Sequence, residues 1–171
     1  MANIEVAEQK RWEGTTKSKI NGVSKDRVWP FLADFFNWQT IFLAIESSVG
    51  VEGISGEIVC VRKVVLKPEA SLGWEGKYSR WGFEKLVEID HIRKWMRYEV
   101  LDNTFGCNNY EATITLLPLE GNSEGSELVW SFSLDPVEDG RSLDTMIAAY
   151  KANLESVSAR VEQLFGIEEN K

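Results

Sequence analysis

From residue 10 to 20 charged and small or apolar positions alternate, placing Trp12, Gly14, Thr16 and Ser18 on one face, and the run stops at Asn21-Gly22. A period of two predicts a half-buried strand, and Asn-Gly predicts a turn. Ser24 then stands where a helix N-cap belongs, with Asp26 in the first turn and Val28, Trp29, Phe31, Leu32, Phe35 and Phe36 at helical spacing. Pro30 is tolerated only near a helix start, and Asn37 interrupts the pattern before residues 38–42, so two short helices are predicted. Glycines then punctuate runs of β-branched and aromatic residues, which predict six more strands at 46–51, 57–66, 78–89, 94–101, 110–117 and 127–134. Their connections are short, which favours an antiparallel meander because parallel crossovers need a dozen or more residues. After Asp139-Gly140 the period changes: Leu143, Met146, Ile147, Tyr150, Leu154, Val157, Val161 and Leu164 recur at steps of three and four, with Ser142, Asp144 and Gly166 as end signals. The expected class is α+β, a curved seven-stranded antiparallel sheet against one long C-terminal helix. The volume between helix and sheet is a natural place for a ligand cavity.

The chain has 171 residues, enough for one domain, expected at 10–166 between a flexible N-terminal segment, 1–9, and an acidic tail, 167–171. A net charge of −8 argues against nucleic acid and anionic membrane surfaces as partners. Two cysteines, Cys60 and Cys107, and the single His91 exclude a disulfide framework or a Cys/His zinc site, so no metal is expected. No nucleotide motif is present, so no organic cofactor is expected either. The first ten residues carry no readable secretory signal and no window is apolar enough to span a membrane, which predicts a cytoplasmic or nucleocytoplasmic, monomeric protein. Seven tryptophans are the anomaly, several times the usual share.

Alternate residues of a strand share a face, and this separates the candidates. Ile58, Cys60, Arg62 and Val64 fall together, as do Glu84 and Leu86; Tyr98 lies with Met96 and Val100, Tyr110 with Ala112, Ile114 and Leu116, and Trp130 with Leu128, Phe132 and Leu134. If the third and fourth strands pair, Arg62 and Glu84 can meet. Two readings stand: an Arg/Glu pair facing an apolar pocket, or a surface cross-strand salt bridge worth less than about 1 kcal/mol. Trp29, Trp38, Trp81 and Trp130 are candidates for the pocket lining, with Phe132 and Tyr150, against the alternative that aromatic residues at such spacing are plain core. His91 reads as an exposed turn histidine.

Taken together, Arg11-Trp12-Glu13-Gly14, Asp34-Phe35-Phe36-Asn37, Cys60-Val61-Arg62, the run from Glu84 to Asp90, Tyr110-Glu111-Ala112-Thr113 and Trp130-Ser131-Phe132 resemble the plant lachrymatory factor synthases. Through them the chain is similar to the helix-grip superfamily, with its START-type, Bet v 1-like, polyketide cyclase and abscisic acid receptor branches. The resemblance implies the helix-grip fold and a catalytic set at Arg62, Glu84, Tyr98 and Tyr110. It also implies an isomerisation in which an alkenyl sulfenic acid becomes a thial S-oxide. Arg62 would then anchor the sulfinyl oxygen and Glu84 would shuttle the proton, on a small apolar or sulfur-containing metabolite. The alternative is a carrier or sensor of an apolar metabolite or lipid without chemistry. Asn108-Asn109-Tyr110 also fits the hormone receptors, but Phe105-Gly106-Cys107 replaces their His-Arg-Leu latch, residues 68–73 lack their gate, and no lysine lies between Lys25 and Lys63.

Overall fold

A computed structural model describes residues 10–68, 78–121 and 124–167. The expected N-terminal segment, most of the tail and nearly all of the stretch 68–73 fall outside the described residues. In chain order the elements are β1 (Trp12–Ile20), α1 (Lys25–Ala33), a 3-10 helix (Phe35–Thr40), β2 (Ile45–Glu52), β3 (Val61–Leu66), β4 (Arg80–Asp90), β5 (Trp95–Asn103), β6 (Glu111–Pro118), β7 (Ser126–Leu134) and α2 (Leu143–Leu164). The strands form one antiparallel sheet in the order β1-β7-β6-β5-β4-β3-β2. This is the helix-grip arrangement: a meander from β2 to β7, with β1 returned to the far edge beside β7. Register shifts in the β2–β3 and β4–β5 pairs mark bulges, which add local bend and twist to the sheet.

The alternation read from the sequence is the observed one on most strands. Thr16, Ser18 and Ile20 of β1, and Leu128, Trp130, Phe132 and Leu134 of β7, are buried on the inner face. Against that face α2 presents Met146, Tyr150, Leu154, Val157 and Val161, one stripe at steps of three and four. Leu164 departs from the expected stripe: it is the last residue of α2 and is 41% exposed. In its place Ser158 is buried and shares a 2.7 Å hydrogen bond with Ser18, which joins α2 to β1 by a polar contact inside the core. Ser142 caps α2 by accepting from the Thr145 amide at 3.1 Å, as expected. At Ser24 the N-cap position is right, but its carbonyl, not its hydroxyl, takes up the Arg27 and Val28 amides. Asn37 does break the helical run, at φ −117°, ψ 29°.

The third strand is shorter than predicted. Residues 57–60 form turns, with the Glu57 amide bonded to Ile54 O and the Cys60 amide to Glu57 O, and Val59 at a φ of 64°. Gly56 directs this path: its φ is +83°, and a Cβ there would sit 2.3 Å from Ala33 O. Ile58 therefore leaves the predicted inner row and is 56% exposed, while Cys60, Arg62 and Val64 keep their places.

Candidate functional site

The inner face of β3, β4 and β5 meets the 3-10 helix and α2 around a cavity of about 60 Å³ whose walls include Trp38, Arg62, Glu84, Tyr98, Tyr110, Trp130 and Tyr150. Arg62 and Glu84 are direct partners in the β3–β4 register. Both are buried, and they form an ion pair with Arg62 Nη2 and Nε donating to Glu84 Oε1 at 2.6 and 3.0 Å. The same guanidinium donates through Nη1 to Phe35 O and lies 3.7 Å from the Phe35 ring centre and 3.9 Å from that of Trp38. An unpaired charge in such surroundings would be very costly, so each partner makes the other's burial possible. Three of the five guanidinium N–H donors are thus committed within the protein, and the expected free fork for a substrate oxygen is largely occupied. Glu84 Oε2 takes no hydrogen bond among the described residues.

The three tyrosines line the same space. The ring centres of Tyr98 and Tyr110 lie 6.4 Å apart, and Tyr150 is 6.5 Å from Tyr110 and 5.2 Å from Trp130. Burial pushes all three hydroxyls well above their ordinary range, and the Glu84 charge adds to the effect at Tyr98 and Tyr150. At neutral pH they are therefore phenols, able to donate hydrogen bonds. Trp130 Nε1 is a buried donor with no hydrogen-bond partner among the described residues, whereas the Tyr110 hydroxyl interacts with those of Tyr98 and Tyr150.

Not every candidate belongs to this wall. Trp29 is buried but points elsewhere, donating to His91 Nδ1 at 3.1 Å, so His91 is exposed yet partnered. Trp81 lies on the outer face beside Phe83, with Lys63 Nζ 5.4 Å from its ring centre. Its parity in β4 is that of Phe83, opposite to Glu84, so the pleat itself removes it from the cavity. Phe132 stands behind the lining, stacked on Tyr110 at 6.0 Å and packed on Tyr150 at 4.7 Å.

Phe105, Cys107, Arg141 and Asn153 also line the cavity, although none of them is among the pocket candidates read from the sequence. Gly82 lets Phe105 in, since a Cβ there would meet its ring at 2.4 Å. Arg141 is buried, paired with Asp139 at 2.8 Å and donating to Phe105 O at 2.5 Å. The signal for it was an arginine two residues after an aspartate at a helix entrance. Burial raises the Cys107 thiol to about 11, so it is a neutral, unreactive wall group at physiological pH.

A long helix gripped by a curved antiparallel sheet, with a small, largely aromatic cavity between them, defines a helix-grip ligand-binding protein. The chain belongs to the polyketide cyclase / dehydrase and lipid transport family, whose profile matches residues 11–165. No curated protein sequence matches it. Among solved structures it is similar to major latex-like protein 151 of Panax ginseng, at 16% identity and a TM-score of 0.70 over 90% of this chain and 97% of that one. It is also similar to the protein XoxI of Bacillus cereus, at 23% identity and a TM-score of 0.68 over 90% and 94%. At these identities the likeness is one of fold. No helix among the described residues is long and apolar enough to cross a membrane.

Proposed function

We propose that the cavity carries out a proton-transfer isomerisation of a small molecule, of the kind run by lachrymatory factor synthases. The observation that carries this reading is the buried Arg62–Glu84 pair on the wall of an apolar cavity. A carboxylate is an expensive group to bury, and Arg62 fixes one of its oxygens while the other remains to take and give a proton. The cavity volume of about 60 Å³ is far below the roughly 300–1,000 Å³ of sites for drug-sized ligands, which favours a substrate of a few heavy atoms over a long-chain lipid.

On an alkenyl sulfenic acid the step is balanced and redox-neutral. Glu84 removes the S–OH proton, a sulfur lone pair forms the C=S bond, and the C=C pair takes the proton back from protonated Glu84 at the distal alkene carbon. Arg62 acts by orienting Glu84 and holding it against the aromatic wall. Glu84→Gln is expected to lower turnover by 100-fold or more, about the usual contribution of general acid–base catalysis, with ligand binding kept. The measurement is formation of the thial S-oxide in an alliinase-coupled assay, alongside tryptophan fluorescence titration. Turnover at the unmutated rate would overturn the role of Glu84, and tight binding without turnover in the unmutated protein would make it a carrier.

A further inference from the structure

The inner row of β4 has a gap in it. Gly82, Glu84 and Leu86 alternate as its buried positions, so the place next to Glu84, roughly 7 Å along the row, belongs to a glycine. A loop phenylalanine fills it: the three atoms nearest to a Cβ on Gly82 would be Phe105 ring carbons, at 2.4, 3.0 and 3.1 Å. Phe105 is buried and lines the cavity together with Glu84. We infer that Phe105 is the stop that limits how far a ligand can extend from Glu84, and that this one ring makes the site selective for short molecules. The inference rests on the cavity being the ligand site proposed above, and it adds the residue that sets ligand length.

Several groups seat this ring. The Thr104 amide donates to Trp81 O at 2.8 Å and the Trp81 amide to Thr104 Oγ1 at 2.9 Å, which ties the loop to β4 just before Gly82. Asn103 Oδ1 accepts from the Phe105 and Cys107 amides at 3.0 and 3.2 Å, while Asn103 Nδ2 donates to Leu101 O and Cys107 O, both at 2.8 Å. From the other side the buried Arg141 guanidinium, held by Asp139, donates to Phe105 O at 2.5 Å. Gly106 permits that approach, with a φ of +73° and only 2.9 Å between the place of a Cβ and Arg141 Nη2. A phenylalanine that merely completed a core would need none of this, since β4 could carry an apolar side chain at position 82 as it does at Leu86. Burying a guanidinium to fix one carbonyl is costly, and such an arrangement on a ligand cavity marks a wall whose position matters. Both backbone groups of Phe105 are held, so a longer ligand meets the ring as a fixed wall.

The experiment measures calorimetric affinity for 2-butanone and 2-octanone, soluble probes of graded length, in the unmutated protein and its variants. The ratio of 2-octanone to 2-butanone affinity is expected to rise about tenfold or more in Phe105→Ala and less in Phe105→Leu, since each further buried methylene is worth about fourfold. Gly82→Ala is expected to push the ring into the cavity and weaken 2-butanone about tenfold. In the double variant Gly82→Ala/Phe105→Ala both probes should bind as in Phe105→Ala, because the atoms that a Cβ at position 82 would meet are gone. Two substitutions that acted on packing alone would add instead of reversing. An unchanged ratio in folded Phe105→Ala or Phe105→Leu overturns the stop; so does a double variant no better than Gly82→Ala, or an equal rise in Leu86→Ala, which opens the other flank of Glu84. If neither probe binds any folded form, the cavity reading falls and the stop with it. In Glu84→Gln the ratio is expected to stay as it is, so loss of turnover there and an unmoved length limit report separately on the two proposals.

Discussion

The two faces of the sheet carry the same ionic motif in different solvents. On the inner face Arg62 meets Glu84 at 2.6 Å with side chains 1% and 10% exposed; on the outer face Arg97 meets Glu88 at 2.7 Å with side chains 30% and 50% exposed. Both are cross-strand pairs of neighbouring strands, and Arg97 also reaches Glu111 at 3.1 Å. Contact distance does not distinguish them. Outside, water and salt screen the charges and the carboxylates compete for one guanidinium, so the pair is worth little. Inside, the charges cannot be left alone, and the fold supplies Phe35 O and two aromatic rings to complete the solvation of Arg62. Natural sequences can place an Arg/Glu pair on a surface at small cost, so it is the buried pair that calls for a functional explanation.

The largest effect should come from breaking the inner pair on one side. Arg62→Met leaves Glu84 buried without its partner and is expected to lose about 3–5 kcal/mol in denaturant unfolding. Adding Glu84→Leu should recover most of that loss while abolishing the proposed chemistry. A double variant as unstable as the single one would trace the loss to packing on Phe35 and Trp38 instead. An intermediate effect belongs to pH. Tyr98, Tyr110 and Tyr150 titrate in the folded state above their ordinary value of 10.0. Above pH 10 the unfolded chain therefore releases protons that the folded one keeps, so stability is full below pH 10 and falls as pH rises past it. Thermal melts between pH 8 and 11.5, with phenolate absorbance as the second readout, check this; a flat profile would contradict the burial of the three hydroxyls. The smallest effect is expected outside, where Arg97→Ala should cost less than about 1 kcal/mol and lose even that in high salt.

How much of this is legible in the sequence differs between the same two faces. Period-two alternation places Arg62 in a row with Cys60 and Val64 and lets it meet Glu84 if β3 and β4 pair, but whether that row faces a pocket or solvent is decided by the packing of the 3-10 helix and α2 over it. The same parity places Trp81 with Phe83 on the outer face, and the number of tryptophans in a chain says nothing of the direction in which each one points. Trp29 was beyond such reasoning, since a helix face becomes a cavity wall or a contact with His91 only through tertiary packing. Residues 57–60 read as strand because Ile58, Val59 and Cys60 have strong β preference, which the turn at Gly56 overrides. Arg141 escaped notice for a related reason: a charged residue at a helix entrance is normally solvated, and its burial depends on Phe105 arriving from β5's far end.

The placement of β1 has a consequence for how the molecule comes into being. Among the described residues its sole neighbour in the sheet is β7, with Trp12 opposite Leu134 and Ile20 opposite Ser126. During synthesis, which proceeds at about 5–20 residues per second, β1 is the first of the seven described strands to emerge and the last to find its hydrogen-bonding partner. Until Ser126–Leu134 has emerged, its alternating face has no sheet to join and its backbone groups stay in water. The meander from β2 onward can assemble strand by strand as it appears, whereas the edge beside α2 closes only when the two ends of the domain meet.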